Sequence, residues 1–414
     1  MDIRAPRLRL LAVAMTVDAL GSGLFGPFGL LYGHEVAGLP LARTGTALGV
    51  AAAVALAAGP LAGTLVDRIG AARVVILANV VAVLGGLLLL SARDLLSFTL
   101  ASILGVASVR MFWSAFAPLI GALTGDRAER WLGLLRSARL AGVMLGGFAA
   151  SGVLLLGRKE GLLIMLAVDT ASYALAAVLT VVATAGSHRP IRRPSPGTGD
   201  PAGGRASYRT VLRDRALLHL TLLNTVCTLL ASTPIIAMPV YLIEVAHGPA
   251  WLPGLAAGLL TGTVALAMTR TPLLTRGTGR LRVLALAALL WAAGCLLFLP
   301  APLAAAPVAI AATVVLGLAQ SFYEPTADTV ALALAPAHMT GRYTAVYQLA
   351  WGVSAALSPV LAGVLLATAP SLLWITLAAL ALLTAIAYHR TEARLGARVG
   401  QSGTPLPASR ASGA

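Results

Sequence analysis

A chain of 414 residues with 58% hydrophobic and 11% charged side chains, and a mean hydropathy of +0.88, is too apolar for water to be its main solvent. Its formal net charge of +15 comes almost wholly from arginine. Those cations lie in short connectors between apolar runs, not on one folded face with base-reading partners, which excludes nucleic acid as the partner.

Runs of about 20 apolar residues are long enough to cross a bilayer as helices. They predict spans at 8–32, 44–66, 74–91, 95–123, 131–156, 161–185, 216–243, 251–269, 283–299, 303–335, 343–368 and 371–389. The first is too long for a signal-peptide core and lacks a cleavage pattern, so it stays as a span. Twelve crossings put both ends on one side. The connectors on that side hold Arg68, Arg73, Arg127, Arg193, Arg276, Arg342 and most other arginines, whereas the opposite side holds only Arg43, Arg93, Arg158 and Lys159. This imbalance predicts a multi-pass protein of the cell membrane with both termini cytoplasmic.

In chain order, the first costly residue within a span is Asp18, in Val17-Asp18-Ala19-Leu20-Gly21-Ser22-Gly23. After the second span comes Gly63-Thr64-Leu65-Val66-Asp67-Arg68-Ile69-Gly70-Ala71-Ala72-Arg73. It supplies a small residue for close helix contact, an acid at a helix end, a basic residue, a glycine to reverse the chain, and a second basic residue to start the next helix. Arg110 lies in the fourth span. Counted at about 1.5 Å per residue from the cytoplasmic ends, Asp18 lies about 15 Å deep, Arg110 about 18 Å, and Glu324 of the tenth span about 17 Å, so the three can share one layer. Small residues at Gly142, Gly146 and Gly147 in span five, and at Ser358 to Gly363 in span eleven, mark hinge or packing positions. Asp169 in span six reads as locally satisfied by Thr170 or Tyr173. Cys227 and Cys295 both fall inside apolar runs, which argues against a disulfide framework or a metal site. With no Walker loop, H-E-x-x-H or Gly-x-Ser-x-Gly, the chain does not read as an enzyme and implies no cofactor.

The polar stretch 186–215, rich in Pro, Gly, Ser and Arg, reads as a cytoplasmic linker between bundles at 1–185 and 216–389, with a disordered tail at 390–414. An internal repeat supports the division: Leu104-Gly105-Val106-Ala107 matches Leu316-Gly317-Leu318-Ala319, Arg130 matches Arg342, and Pro60-Leu61 matches Pro272-Leu273, all at an offset of 212. The expected fold is therefore an all-α membrane protein, twelve transmembrane helices in two pseudo-symmetric six-helix bundles with a site between them.

Gly63, Asp67, Arg68, Gly70 and Arg73 resemble the loop between spans two and three of the major facilitator superfamily; Ala72 replaces its usual basic residue. The Asp18 segment resembles the first span of that superfamily's twelve-span drug:proton antiporters, and Arg110 holds the place of their span-four arginine. The resemblance implies a monomeric transporter whose spans one, four, seven and ten line the cavity, with a small-molecule substrate, protons and the lipid bilayer as partners. On that reading Asp18 and Arg110 couple protons, and Asn224, Tyr323 and Glu324 contact cargo. The resemblance also implies that Asp67 latches onto the start of span eleven, near Arg342 and Tyr343, when the cytoplasmic face closes. Two alternatives stay open: Asp18 and Arg110 as a static pair that fixes register, and Glu324 as a cap for backbone freed by Pro325. Export by proton antiport, nutrient uptake or uniport, and a transporter-like sensor are all compatible with these residues.

Overall fold

The computed structural model describes residues 4–124, 128–185, 211–336 and 339–400; most of the expected linker and residues 401–414 of the expected tail lie outside the described residues. Among the described residues, eleven helices are long and apolar enough to cross a bilayer, and a twelfth, Leu252–Met268, has 17 residues. Backbone groups in lipid must be satisfied internally, so an apolar chain of this composition resolves into helices.

Span one is Arg4–Phe25, a 3-10 turn at Gly26–Phe28 where Pro27 interrupts the helix, and Gly29–Glu35. Span two is Leu41–Ala55 and Ala58–Ile69. Spans three to six are Ala71–Ser91, Leu95–Thr124, Ala128–Leu154 and Arg158–Thr184. Span seven is Arg215–Val240 followed by a π turn at Tyr241–Val245, and span eight is Leu252–Met268 with a short continuation at Thr271–Leu274. Spans nine to twelve are Arg280–Leu297, Ala305–Leu334, Thr340–Thr368 and Pro370–Val399. Where the sequence places the tail from residue 390, the last helix instead continues to Val399. His219 bonds Thr391 at 2.9 Å, and the guanidinium of Arg280 donates to the Val399 carbonyl, which fasten this extension to the bundle.

Helix ends follow local chemistry. Asp94 starts span four by accepting from the Ser97 amide at 3.0 Å, the Ser97 hydroxyl at 2.8 Å and the Leu96 amide at 2.9 Å, and these bonds hold its carboxyl below the usual carboxylate range. Gly70, at φ 92°, reverses the chain between spans two and three in a conformation that penalises any side chain. Proline removes a backbone donor and crowds the carbonyl four residues earlier. Span two accordingly breaks at Leu56 and Ala57, four and three residues before Pro60, and span eight breaks just after Met268, four residues before Pro272. The two breaks occupy equivalent positions in the repeat.

The packing is pseudo-symmetric. Span three lies against spans four and six as span nine lies against ten and twelve, and spans one and seven pack on five and eleven respectively. Between the halves, span two packs on span eleven and span five on span eight, two interfaces that the pseudo-two-fold exchanges. Lipid tails are as apolar as leucine, so close packing of small residues holds such interfaces. At the first, Gly45 meets the carbonyl of Pro359 and the backbone of Gly363; at the second, a Cβ on Gly147 would lie 2.6 Å from the Gly258 nitrogen.

Candidate functional site

All these contacts between halves lie on the side away from the chain termini. There, Leu41–Ala55 of span two packs against span eleven, while Ala58–Ile69, nearer the termini, packs on spans three and four. The far rim adds a charge clamp: Arg158 at the start of span six meets Glu35 of its own half at 3.5 Å and Glu244 of the other half at 3.4 Å. The bundle is thus closed on the far side and splayed toward the termini side. Exposed ion pairs contribute up to about 1 kcal/mol. Arg158→Gln is therefore expected to raise the far-side-open population at most about fivefold. Maleimide labelling of a cysteine placed at Val36 would report it, and salt should blunt the difference between variant and parent. Labelling that is equal in both at low salt would show that the clamp does not hold the rim.

The buried charge sits inside the first half. Asp18 and Ser22, one helical turn apart on span one, face spans five and six. The partner of Asp18 is Arg139 of span five, Nη1 to Oδ2 at 2.9 Å, and not Arg110. The Asp18 side chain is 8% exposed and that of Arg139 is 20% exposed. The guanidinium also lies 5.3 Å from the ring centroid of Trp113, a half-exposed side chain on span four, so its charge is held by a carboxylate and a π face together. Beside the pair, a cavity of about 20 Å³ is bounded by Asp18, Asn79, Ser108, Trp113, Arg139 and Tyr173. That volume suits a single water with polar partners. Ser22 and Tyr173 share a hydroxyl contact at 3.2 Å.

Arg110 is half-buried, and its guanidinium makes no hydrogen bond or ion pair among the described residues; its backbone carbonyl accepts from the Ser114 hydroxyl at 2.9 Å. Depth along a helix follows from sequence position, but the direction in which a side chain leaves the helix decides its partner. Arg139 falls within the predicted fifth span, so its intramembrane charge was visible in the sequence. Asp169 is buried, yet it bonds neither Thr170 nor Tyr173: the Thr170 hydroxyl donates to Leu166 O at 2.7 Å, and Tyr173 meets Ser22.

In the second half, Asn224 and Tyr323 are buried in a brace instead of facing open space. Tyr323 donates to Asn224 Oδ1 at 2.7 Å, and Asn224 Nδ2 donates to Tyr347 O at 3.3 Å, joining spans seven, ten and eleven. Glu324 is half-buried and accepts from Gln320 one turn earlier at 2.7 Å. The carbonyl freed by Pro325 is that of Ser321, and Thr271 of span eight takes it at 3.0 Å, so Glu324 is not its cap.

The loop motif is held apart from the other half in this conformation. Asp67, Arg68 and Arg73 are exposed, and Asp67 makes no ion pair among the described residues. A Cβ on Gly63 would meet nothing within 4 Å, so here this glycine serves no close helix contact. Arg342 is half-buried at the start of span eleven, and Tyr343 beside it donates to Asp214 at 2.9 Å within its own half.

The family model described as the Major Facilitator Superfamily matches residues 11–276 and 255–411. The fold is similar to that of the nucleoside transporter NupG, with TM-score 0.76, 12% identity, and coverage of 94% of this chain and 99% of that one. It is also similar to a peptide transporter, POT, solved in complex with sulfate, with TM-score 0.75, 13% identity and 96% of each chain covered. The tetrameric PepTSo2 gives TM-score 0.72 at 14% identity over 96% of this chain and 100% of that one. Comparison with curated protein sequences gives no match.

Proposed function

The chain belongs to the Major Facilitator Superfamily, and we propose that this membrane transporter works by proton-coupled alternating access, exporting a small amphipathic or drug-like solute. The observation that supports coupling is the Asp18–Arg139 pair beside a water-sized cavity. An ion pair with one foot in the half and one near the cleft changes its balance when the cleft floods or dries, because the worth of a charge depends on the dielectric around it. Arg110, Trp113 and Glu324, from spans four and ten, are the cargo-facing candidates. The arginine-rich termini side is taken as cytoplasmic, which makes the present splay inward-open.

In the alternate state the end of span two approaches span eleven. Asp67 then meets the positive dipole at the span-eleven N-terminus, an interaction that offsets its unfavourable place at the C-terminal end of its own helix. The open space beside Gly63 leaves room for that approach. Since the pseudo-two-fold lies within one chain, a monomer contains both walls of the cleft.

Flux in proteoliposomes under an imposed pH gradient tests the reading. Cargo is expected to move against the proton gradient, and Asp18→Asn to make flux independent of it. Gradient-indifferent flux of every cargo tried would remove the coupling claim. The nucleoside and peptide transporters of similar fold favour a second reading, uptake of a polar metabolite, which predicts that cargo and protons move in the same direction.

A further inference from the structure

We infer that Asn79 of span three is a positioning residue that holds a water on the free carboxyl oxygen of Asp18, and that Asp18 exchanges its proton with the cleft through this water. The inference rests on the proton-coupled reading and adds to it a residue from a span outside the expected cavity lining.

Between Arg73 and Ser91 the single polar side chain of span three is Asn79. It is 4% exposed, and its amide makes no hydrogen bond among the described residues. The nearby hydroxyls do not serve it: Ser108 donates to the Gly105 carbonyl at 2.6 Å and Thr180 to the Ala176 carbonyl at 2.7 Å. A buried amide without a partner is costly, so a water is the remaining way to satisfy it. Asp18 is half-satisfied in the same layer. Its Oδ2 accepts from Arg139 at 2.9 Å, while Oδ1 has no protein partner among the described residues.

Two cavities of about 20 Å³ meet at these residues, and Asp18, Asn79 and Phe112 border both. Spans one and three run away from the termini side, whereas spans four and six run back toward it. The first cavity touches Leu11 and Val75, which precede Asp18 and Asn79, and Phe116, which follows Phe112, so it lies on the termini side. The second touches Ser22, Ala82 and Ser108, which puts it on the far side of the same layer. The two differ in chemistry. Apart from Asp18 and Asn79, the polar side chain of the first is Thr180, whose hydroxyl is already engaged, and an apolar cavity of this kind stays dry. The second adds Ser22, Ser108, Arg139 and Tyr173, enough polar partners for one water, and reaches the half-exposed Trp113. Water therefore meets Asp18 from the cleft edge, with the dry chamber insulating it from the termini side. A proton leaving Asp18 passes to the held water, which gives up one of its own toward the cleft and is left unchanged.

Solid-state NMR of the full chain in lipid bilayers, reading magnetisation passed from water to labelled side chains, tests this directly. The chain has two asparagines, so isotope-labelled asparagine gives two side-chain amides. Asn224, 1% exposed and bonded to Tyr323 and to the Tyr347 carbonyl, is the dry reference. Asn79 is expected to gain magnetisation from water several-fold faster than Asn224. With labelled aspartate, the Asp18 carboxyl is identified by its loss in Asp18→Asn. Its transfer from water should fall several-fold in Asn79→Leu, which keeps the shape and removes both polar atoms. It should stay near the parent in Asn79→Ser, which leaves a hydroxyl and room for water. A packing role for Asn79 predicts equally slow transfer to both amides. That result, or Asp18 transfer unchanged by Asn79→Leu, would overturn the inference, and the wild-type comparison of the two amides holds even where the leucine variant does not fold. No cargo is needed for this readout: the full pattern together with gradient-indifferent flux would sink coupling alone and leave the water assignment standing.

Discussion

Gly147→Leu is expected to drive the population from far-side-closed to far-side-open. A Cβ at 147 would lie 2.6 Å from the Gly258 nitrogen and 2.9 Å from its Cα, and backbone cannot rotate aside as a long side chain can. Overpacking of this kind costs typically about 1–3 kcal/mol. At about 2 kcal/mol the ratio of the two states changes roughly thirtyfold, provided the open state relieves the clash. Spin-label distances between Leu155 and Pro249, on opposite sides of the far rim, would lengthen. Gly152→Leu, on the same helix but with nothing within 4 Å of its added Cβ, is expected to be silent. Equal distances in the two variants would mean that the glycine seam does not govern closure.

Arg139→Gln is the second large effect. It leaves Asp18, 8% exposed at its side chain, without its counter-charge. Removing one member of a buried pair costs about 3–5 kcal/mol when the survivor stays ionised, and less when it takes up a proton. The variant should therefore lose thermal stability at alkaline pH and recover toward the parent as pH falls and Asp18 is neutralised. Asp18→Asn combined with Arg139→Gln should be more stable than Arg139→Gln alone at alkaline pH, giving a coupling within about 0.5–3 kcal/mol by double-mutant cycle. Arg110→Gln, which breaks no ion pair, should move stability little. Additive effects of Asp18→Asn and Arg139→Gln would show that the pair contributes nothing as a pair.

The membrane-spanning architecture was legible because apolar run length and arginine placement are one-dimensional quantities. The repeat was legible for a similar reason: Pro60 and Pro272 mark equivalent residues, and both break their helices. The polar contacts were less so. Arg110 and Arg139 both place a cation within the first half, but only the rotation of each helix about its axis decides which one reaches Asp18. Asn224 and Tyr323 looked like cavity residues because polar side chains in spans seven and ten are costly. That cost is met instead by their bond to each other and by the Tyr347 carbonyl. Glu324 beside Pro325 suggested a cap, yet the freed carbonyl finds Thr271, some fifty positions away in sequence, a pairing that only tertiary packing creates.

The break at Leu56 and Ala57 gives span two a fulcrum. Its outer segment is bolted to span eleven and its inner segment rides on spans three and four, so an unbroken rod would have to pry the far seam apart whenever the mouth moved. With a joint between them, the 12-residue inner segment acts as a lever about 18 Å long, and a bend of about 20° carries its tip, with Asp67, about 6 Å. Beyond the equivalent joint, span eight has only the four residues Thr271–Leu274, an arm about 6 Å long, and the turn that follows carries no acid. The two halves share a plan but not a mechanical advantage: for the same bend, the long arm of the first half sweeps about three times as far as the short arm of the second.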